Sequence, residues 1–229
     1  MGCWICGGEG TTREHKIKQT DLRSRSRNPT QENPLRFHDA KKKNLPIRST
    51  NADILTFKRN ICAYCNNTRT QPHDRAWETM SGWFRAHRSI TVPGMTVRAN
   101  QIFPYDTRRH MLSVHLYFVK ELGCQIKESG IPIDLGLFSR AIMQIKAHPH
   151  VYLKFGQSEF VKGLVADGSD IEMQLIAGVC KFMRWFRGFK DVTINRMYAA
   201  GGEEGRDELV GAWHPRHGTN QLVIYDFRW

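Results

Sequence analysis

Two short cysteine motifs could hold a metal, and a few polar residues beside them could then do chemistry. Cys3-Trp4-Ile5-Cys6 and Cys62-Ala63-Tyr64-Cys65 each put two thiols on one tight turn, and together they offer the four sulfurs that tetrahedral zinc prefers. The pairs lie far apart in the chain, so a zinc ion bound by both would close a long loop and act as a staple. A thioredoxin-like redox role needs its Cys-x-x-Cys at the start of a helix after a strand, a setting neither pair has. A four-thiolate zinc site has no open coordination position, so any reaction must come from residues that the knuckles hold in place. Glu14-His15 follows the first pair, and Asn66-Asn67 follows the second directly. Carboxylate and amide oxygens suit a hard cation such as Mg²⁺, while a neutral imidazole can take a proton from water near pH 7. Phosphodiester hydrolysis uses both functions together. The bland alternatives are a solvated Glu-His surface pair, and Asn66 as a turn residue at a knuckle.

These residues need elements to position them. Residues 1 to about 70 lack long apolar runs and cannot build a large core by burial alone. Between the cysteine pairs lies the most basic stretch, with Arg23, Arg25, Arg27, Arg36, Lys41, Lys42, Lys43 and Arg48 interrupted by Pro34 and Pro46. It reads as a long loop over a polyanion, or else as a solvated loop. The run DRAWETMSGWFRAH, residues 74–87, predicts a helix with Trp77, Met80, Trp83 and Phe84 on its core face and Asp74 as its cap. A buried helix of some fifteen residues is expected over MLSVHLYFVKELGCQI, ending near Gly130 and Pro132, and a second over Leu135 to Ala147. HVYLKFG, VTINRMYA and NQLVIYDF read as strands, with LVGAWH facing the last of them across a Pro-Arg-His-Gly-Thr turn as a hairpin. Ile171 to Phe189 fits helix or strand, and its length favours helix. The expected fold class is α+β: a small zinc-stapled module over residues 1–92, then an α+β domain over 93–229. His148-Pro149-His150 is the most ligand-like of the remaining histidines.

The totals narrow the classes. Thirty-four Lys and Arg against 22 Asp and Glu give a formal charge of +12, which favours a polyanionic partner such as nucleic acid. The 40% of hydrophobic residues argue against wholesale disorder. Six cysteines in 229 residues are too few for a disulfide scaffold. No stretch approaches the run of about 20 apolar residues that crosses a bilayer, and the opening residues do not read as a secretory signal, so the expectation is a cytoplasmic protein with no membrane partner.

Cys-x-x-Cys, then Glu14-His15 with Lys16-Ile17-Lys18, then Cys-x-x-Cys-Asn with Thr68-Arg69 behind it, resembles the HNH endonuclease family in its zinc-finger, ββα-metal form. The resemblance covers about residues 1 to 90. It implies that His15 is the general base, that Glu14 and Asn66 bind a catalytic Mg²⁺ or Mn²⁺, and that Cys3, Cys6, Cys62 and Cys65 bind a structural Zn²⁺. In that picture the metal bridges a phosphate oxygen and the leaving 3′ oxygen while His15 activates water. His73 is an alternative or additional metal ligand, since two helical turns would put it on one face with Asn66. The family's middle Asn, which orients the His, has Asn60 and Asn51 as its nearest counterparts, both off the usual offset. The implied partner is nucleic acid, double-stranded DNA being the family's commonest substrate, contacted through Lys16, Lys18, Arg23, Arg25, Arg27, Lys41, Lys42, Lys43 and Arg69; a homodimer or a protein partner is left open. Two other readings stand beside the enzyme: a non-catalytic zinc-finger nucleic-acid-binding protein, and a degenerate nuclease subunit of a larger complex.

Overall fold

The helix α4 (Thr107–Ser129) is buried on nearly every side through its middle, and the rest of the chain is laid around it. The structure is a computed structural model that describes residues 2–25, 29–32, 34–38, 45–157, 169–177, 182–188, 193–201, 206–218 and 220–227. The helix ends where Gly130 takes a left-handed φ of 63°, a conformation that costs glycine little. One face, with Leu116, Val119, Leu122 and Ile126, packs against Trp4, Ile5, Phe57, Ile61, Phe138 and Tyr198. The other, with Val114, Tyr117 and Phe118, packs against Trp77, Met80 and Phe84 of α2 (Gln71–Ala86) and against Leu153, Phe155, Ile194 and Ile224 of the sheet. Both cores therefore draw side chains from before and after residue 92.

Among the described residues, eight strands make one mixed sheet: β1 (Leu35–His38), β2 (Leu45–Ile47), β3 (Thr96–Arg98), β4 (Val151–Gln157), β5 (Ser169–Ala177), β6 (Phe182–Gly188), β7 (Thr193–Ala199) and β8 (Gln221–Asp226). Their order is β2-β1-β5-β6-β7-β4-β8-β3. The β4–β8 and β1–β5 pairs are parallel and the others antiparallel. Three short helices complete the layout: α1 (Gln19–Arg25), α3 (Ala99–Ile102) and α5 (Gly136–Gln144). No helix among the described residues is long and apolar enough to cross a membrane.

Four expectations need correction. The run Ile171 to Phe189 is not a helix where it is described but the pair β5–β6, in register from Glu172↔Arg187 to Ala177↔Phe182. Pairing with β7 and β1 on the outer sides gives both strands a ladder, and that tertiary gain overrides a run whose pattern fits either state. The final hairpin is also absent. Trp213 bridges Leu153 of β4 through two backbone hydrogen bonds of 2.7 and 3.0 Å, while β8 lies between β4 and β3. The basic stretch between the cysteine pairs is not one long loop, because it carries α1, β1 and β2. Buried Asp21 anchors α1 to α2, accepting from Trp77 Nε1 at 2.9 Å and Ser81 Oγ at 2.8 Å. Finally, Asp74 does not cap α2: that helix begins at Gln71, and the Asp74 carboxylate faces Lys120.

Gly123 marks the closest approach of α4 to the first cysteine knuckle. A Cβ there would lie 2.5 Å from the Trp4 ring, whose Nε1 donates to Cys124 Sγ at 3.3 Å. In an isolated helix Gly→Ala stabilises by about 1 kcal/mol. Here overpacking a ring held by cysteines on both sides should outweigh it, so Gly123→Ala is expected to lose about 1–3 kcal/mol. Urea unfolding measures this, and an unchanged or higher midpoint would refute the tight packing.

At the far end of α4, His115 meets His148 and His214 in a buried set whose hydrogen bonds need neutral rings, with half-buried His150 beside them. The His148 N–H donates to His115 Nε2 at 3.1 Å, and the His150 N–H donates to His148 Nδ1 at 3.2 Å. His214 Nε2 reaches the His148 carbonyl at 2.8 Å. Burial, reinforced by His150, His214 and Arg216, pushes His148 down from the ordinary 6.5 to about 3. Between those values the unfolded chain binds more protons than the folded one, so stability is full above pH 6.5 and falls as pH drops. His148 alone should remove about 2 kcal/mol by pH 5. His148→Phe, measured by unfolding at pH 7.5 and pH 5, should show that much less acid sensitivity, and equal losses in both proteins would count against the assignment.

Candidate metal centre and candidate active site

Each cysteine pair is shaped by its own backbone. In the first, the Cys3 N–H donates to the Gly8 carbonyl at 2.6 Å and the Gly7 N–H to the Cys3 carbonyl at 2.9 Å, a turn that needs the positive φ of 78° at Gly7. In the second, the Cys65 N–H points at Cys62 Sγ at 3.4 Å, and the Asn66 N–H donates to the Cys62 carbonyl at 2.9 Å. The two knuckles meet, and all four Sγ atoms lie within 4.8 Å of one another. Cys6 and Cys62 are 3.7 Å apart, close to the roughly 3.8 Å edge of a tetrahedron with zinc–sulfur bonds of about 2.3 Å. The four cysteines could therefore bind a metal such as zinc. A hydrogen bond from the Gly8 backbone lowers Cys6 to about 7, whereas burial pushes the Cys3 and Cys65 thiols up, so those two need a cation to ionise them. Arg69 Nη1, 3.4 Å from Cys65 Sγ, would balance part of the thiolate charge.

The knuckles frame an antiparallel pair of extended segments followed by a helix. Thr12 bridges Ile61 and His15 bridges Thr56. The Phe57 N–H donates to the Glu14 carbonyl at 2.8 Å and the Lys16 N–H to the Leu55 carbonyl at 2.8 Å. After Cys65 a wide helical turn, Cys65–Arg69, leads into α2. Asn66, on that turn, lies against the first segment: its amide nitrogen donates to the Arg13 carbonyl at 3.3 Å and Thr12 Oγ1 at 3.4 Å.

Neighbouring side chains of an extended segment leave opposite faces, and Glu14 and His15 diverge accordingly. The Asn51 side chain and the Thr50 backbone lie near the His15 ring and favour its protonated form, while Nε2 is buried without a hydrogen-bond partner in the protein. Gln19 Nε2 donates to Asn51 Oδ1 at 2.9 Å and to Thr50 Oγ1 at 3.0 Å, fixing the pair that faces the ring. Burial lowers the His15 pKa below its usual value, with Lys18 and Lys120 adding to the effect, so the imidazole is neutral at pH 7. Of the two candidates for the middle Asn, Asn51 therefore faces His15. Asn60 is buried elsewhere, donating to the Cys124 carbonyl at 3.0 Å.

Glu14 turns inward. It is 5% exposed, and its Oε2 lies 3.1 Å from Nζ of Lys120, which is 0% exposed and also reaches Asp74 Oδ1 at 2.6 Å. Burial works against the Lys120 ammonium, but Glu14 and Asp74 beside it hold its pKa above the ordinary lysine value. His73 is buried beside Asp74 and Lys120 with neither ring nitrogen bonded, and burial takes its pKa down to about 4. Glu14, Asp74 and His73 do not converge as a ligand set. Among the described residues the four cysteines alone bring three or more such side chains together. The donors expected for a catalytic divalent metal thus do not match a preformed site.

The basic residues are dispersed. Lys16 Nζ is 3.4 Å from Glu128, and Lys18 Nζ is 3.6 Å from Asp74 and 3.4 Å from Glu78. Arg69 lies over the Tyr64 ring at 5.1 Å. Arg23 is exposed and Arg25 ends α1, while Arg27, Lys41, Lys42 and Lys43 lie outside the described residues. One residue of the site escaped sequence reasoning: Lys120 lies in α4, outside the segment that carries the resemblance, whereas Asn51 stood as one of two candidates off the family offset. Comparisons with protein families, curated proteins and solved structures find no match.

Proposed function

We propose that this chain is an HNH-type endonuclease that hydrolyses phosphodiester bonds of nucleic acid, double-stranded DNA first, with His15 as general base and a structural zinc at Cys3, Cys6, Cys62 and Cys65. One observation carries the reading: His15 stands on an antiparallel pair followed by a helix, framed by the cysteine cluster, with Asn51 beside its ring and Nε2 unbonded. A buried ring nitrogen without a partner calls for an explanation, and a proton-accepting role supplies one. In the reaction Nε2 accepts a proton from water, the water oxygen bonds to phosphorus, and the bond to the 3′ oxygen breaks. The leaving oxygen takes its proton from solvent. The side chain of Asn51 and the backbone of Thr50 stabilise the imidazolium that forms. Because Glu14 is paired with Lys120, no step is assigned to a divalent metal.

Supercoiled plasmid incubated with purified protein in Mg²⁺ or Mn²⁺, beside an EDTA control and His15→Ala, tests the proposal. Nicking or linearisation by the wild type that is lost in His15→Ala is the expected result, and loss in EDTA would add the family's metal requirement. The engagement of Glu14 by a lysine favours a second reading, a nucleic-acid-binding module that does not cut. Plasmid and RNA both bound and both left intact would establish that reading instead.

A further inference from the structure

A lysine with no solvent exposure holds the carboxylate that the resemblance assigns to a metal ion. Lys120 projects from the middle of α4 into the interior, and its ammonium bridges Glu14 Oε2 at 3.1 Å and Asp74 Oδ1 at 2.6 Å. Three elements are joined there: the segment carrying His15, α2 through Asp74, and α4. Lys18, 3.6 Å from Asp74 Oδ2, supplies a second positive charge at the rim. The Tyr117 ring lies 5.7 Å from the ammonium, so an aromatic face completes the cage. A buried charge pair adds little to stability compared with well-packed apolar side chains, whereas removing one partner is costly. A bare stability role is therefore a weak reason for this arrangement.

We propose that Lys120 is the resident cation of this site, and that Glu14 is a positioning residue which clamps the His15 segment to α2 and α4 instead of ligating a divalent metal. The proposal rests on the HNH-type reading for the meaning of the site, but it concerns metal binding, which is measured without cleavage. A divalent ion and the ammonium compete for the same carboxylate oxygens, and the tethered ammonium is present at a high effective concentration. Any Mn²⁺ bound by the wild-type protein must then be held by other groups. Once Lys120 is replaced by an uncharged side chain, Glu14 and Asp74 become hard oxygen donors that have lost the cation between them, with Lys18 left only at the rim on Asp74, and His73 beside them has both ring nitrogens unbonded. Substitution should create a metal site, a gain that a merely structural lysine would not give.

The experiment is Mn²⁺ titration of the zinc-loaded protein, followed by calorimetry and by the electron paramagnetic resonance of free Mn²⁺, with Lys120→Gln, Glu14→Gln and the double variant Glu14→Gln/Lys120→Gln. Wild-type Mn²⁺ affinity should be the same within twofold in Glu14→Gln. Lys120→Gln should bind Mn²⁺ at least tenfold more tightly, and the double variant should lose that gain. If Lys120→Gln does not fold, Lys120→Gln/Asp74→Asn, which removes one charge of each sign, takes its place, and its gain should again depend on Glu14. A wild-type Mn²⁺ site that disappears in Glu14→Gln would overturn the proposal and return Glu14 to the metal. So would a lysine variant that folds and binds no additional Mn²⁺. Failure of plasmid cleavage, with these titrations as expected, would sink the nuclease reading alone.

Discussion

Stripping the metal from Cys3, Cys6, Cys62 and Cys65 is expected to unfold the N-terminal frame. The knuckles contain few apolar side chains of their own. Trp4 and Ile5 enter the core from the turn between Cys3 and Cys6, and Cys65 begins the turn that leads into α2. Four thiols within 4.8 Å, two of them buried, would without a metal have to stay protonated or repel one another. Structural zinc bound by such sets contributes an apparent free energy of about 10–16 kcal/mol, comparable to or larger than the whole stability of an ordinary domain. The wild-type protein should therefore carry one zinc per chain by elemental analysis. Prolonged treatment with a strong chelator, or Cys65→Ser, should abolish cooperative unfolding of the helix signal and make the segment before α2 sensitive to protease. A metal-free protein that melts like the untreated one would show that the core alone holds the knuckles.

The second large effect concerns His15. Removing a general base from its water costs about 10²–10⁴-fold in rate, so His15→Ala should cut plasmid at no more than a hundredth of the wild-type rate while binding it equally well. Binding should persist because the basic residues are spread over α1, the Cys65 turn and the segment after His15 rather than gathered on the imidazole. Asn51→Ala should fall between the two, since the ring would keep its Thr50 neighbour and lose only one of the two groups that favour its protonated form. Cleavage by His15→Ala at wild-type rates would assign any activity to another centre.

The elements legible in the sequence are those whose apolar spacing is decided locally. Trp77, Met80 and Phe84 mark α2 by their spacing, and the alternation in β4 and β8 survives into the sheet. The cysteine pairs were legible because two thiols three residues apart can be brought together by one turn whatever the rest of the chain does. Ile171 to Phe189 was not legible, since its choice of strand depends on partners in β7 and β1 that no local pattern reveals. Lys120 is the sharpest case. Within MLSVHLYFVKELGCQI it reads as the polar break that any helix tolerates on a solvated face, and only the arrival of Glu14 and Asp74 from distant segments makes it an interior charge. Asn51 was one of two candidates because the offset from the second cysteine pair is set by how α1, β1 and β2 fold back, and spacing along the chain does not report that.

The place of β8 in the sheet also governs the order in which the molecule can assemble. β3, at residues 96–98, has β8, at residues 221–226, as its strand neighbour, and β4 waits for the same segment to fill its parallel side. A nascent chain emerging from a ribosome thus leaves β3 without its strand neighbour until more than a hundred further residues have been made, and the parallel side of β4 open until more than sixty have. Contacts of such sequence separation form late and slowly, which makes the half-synthesised sheet a natural client for a holding chaperone.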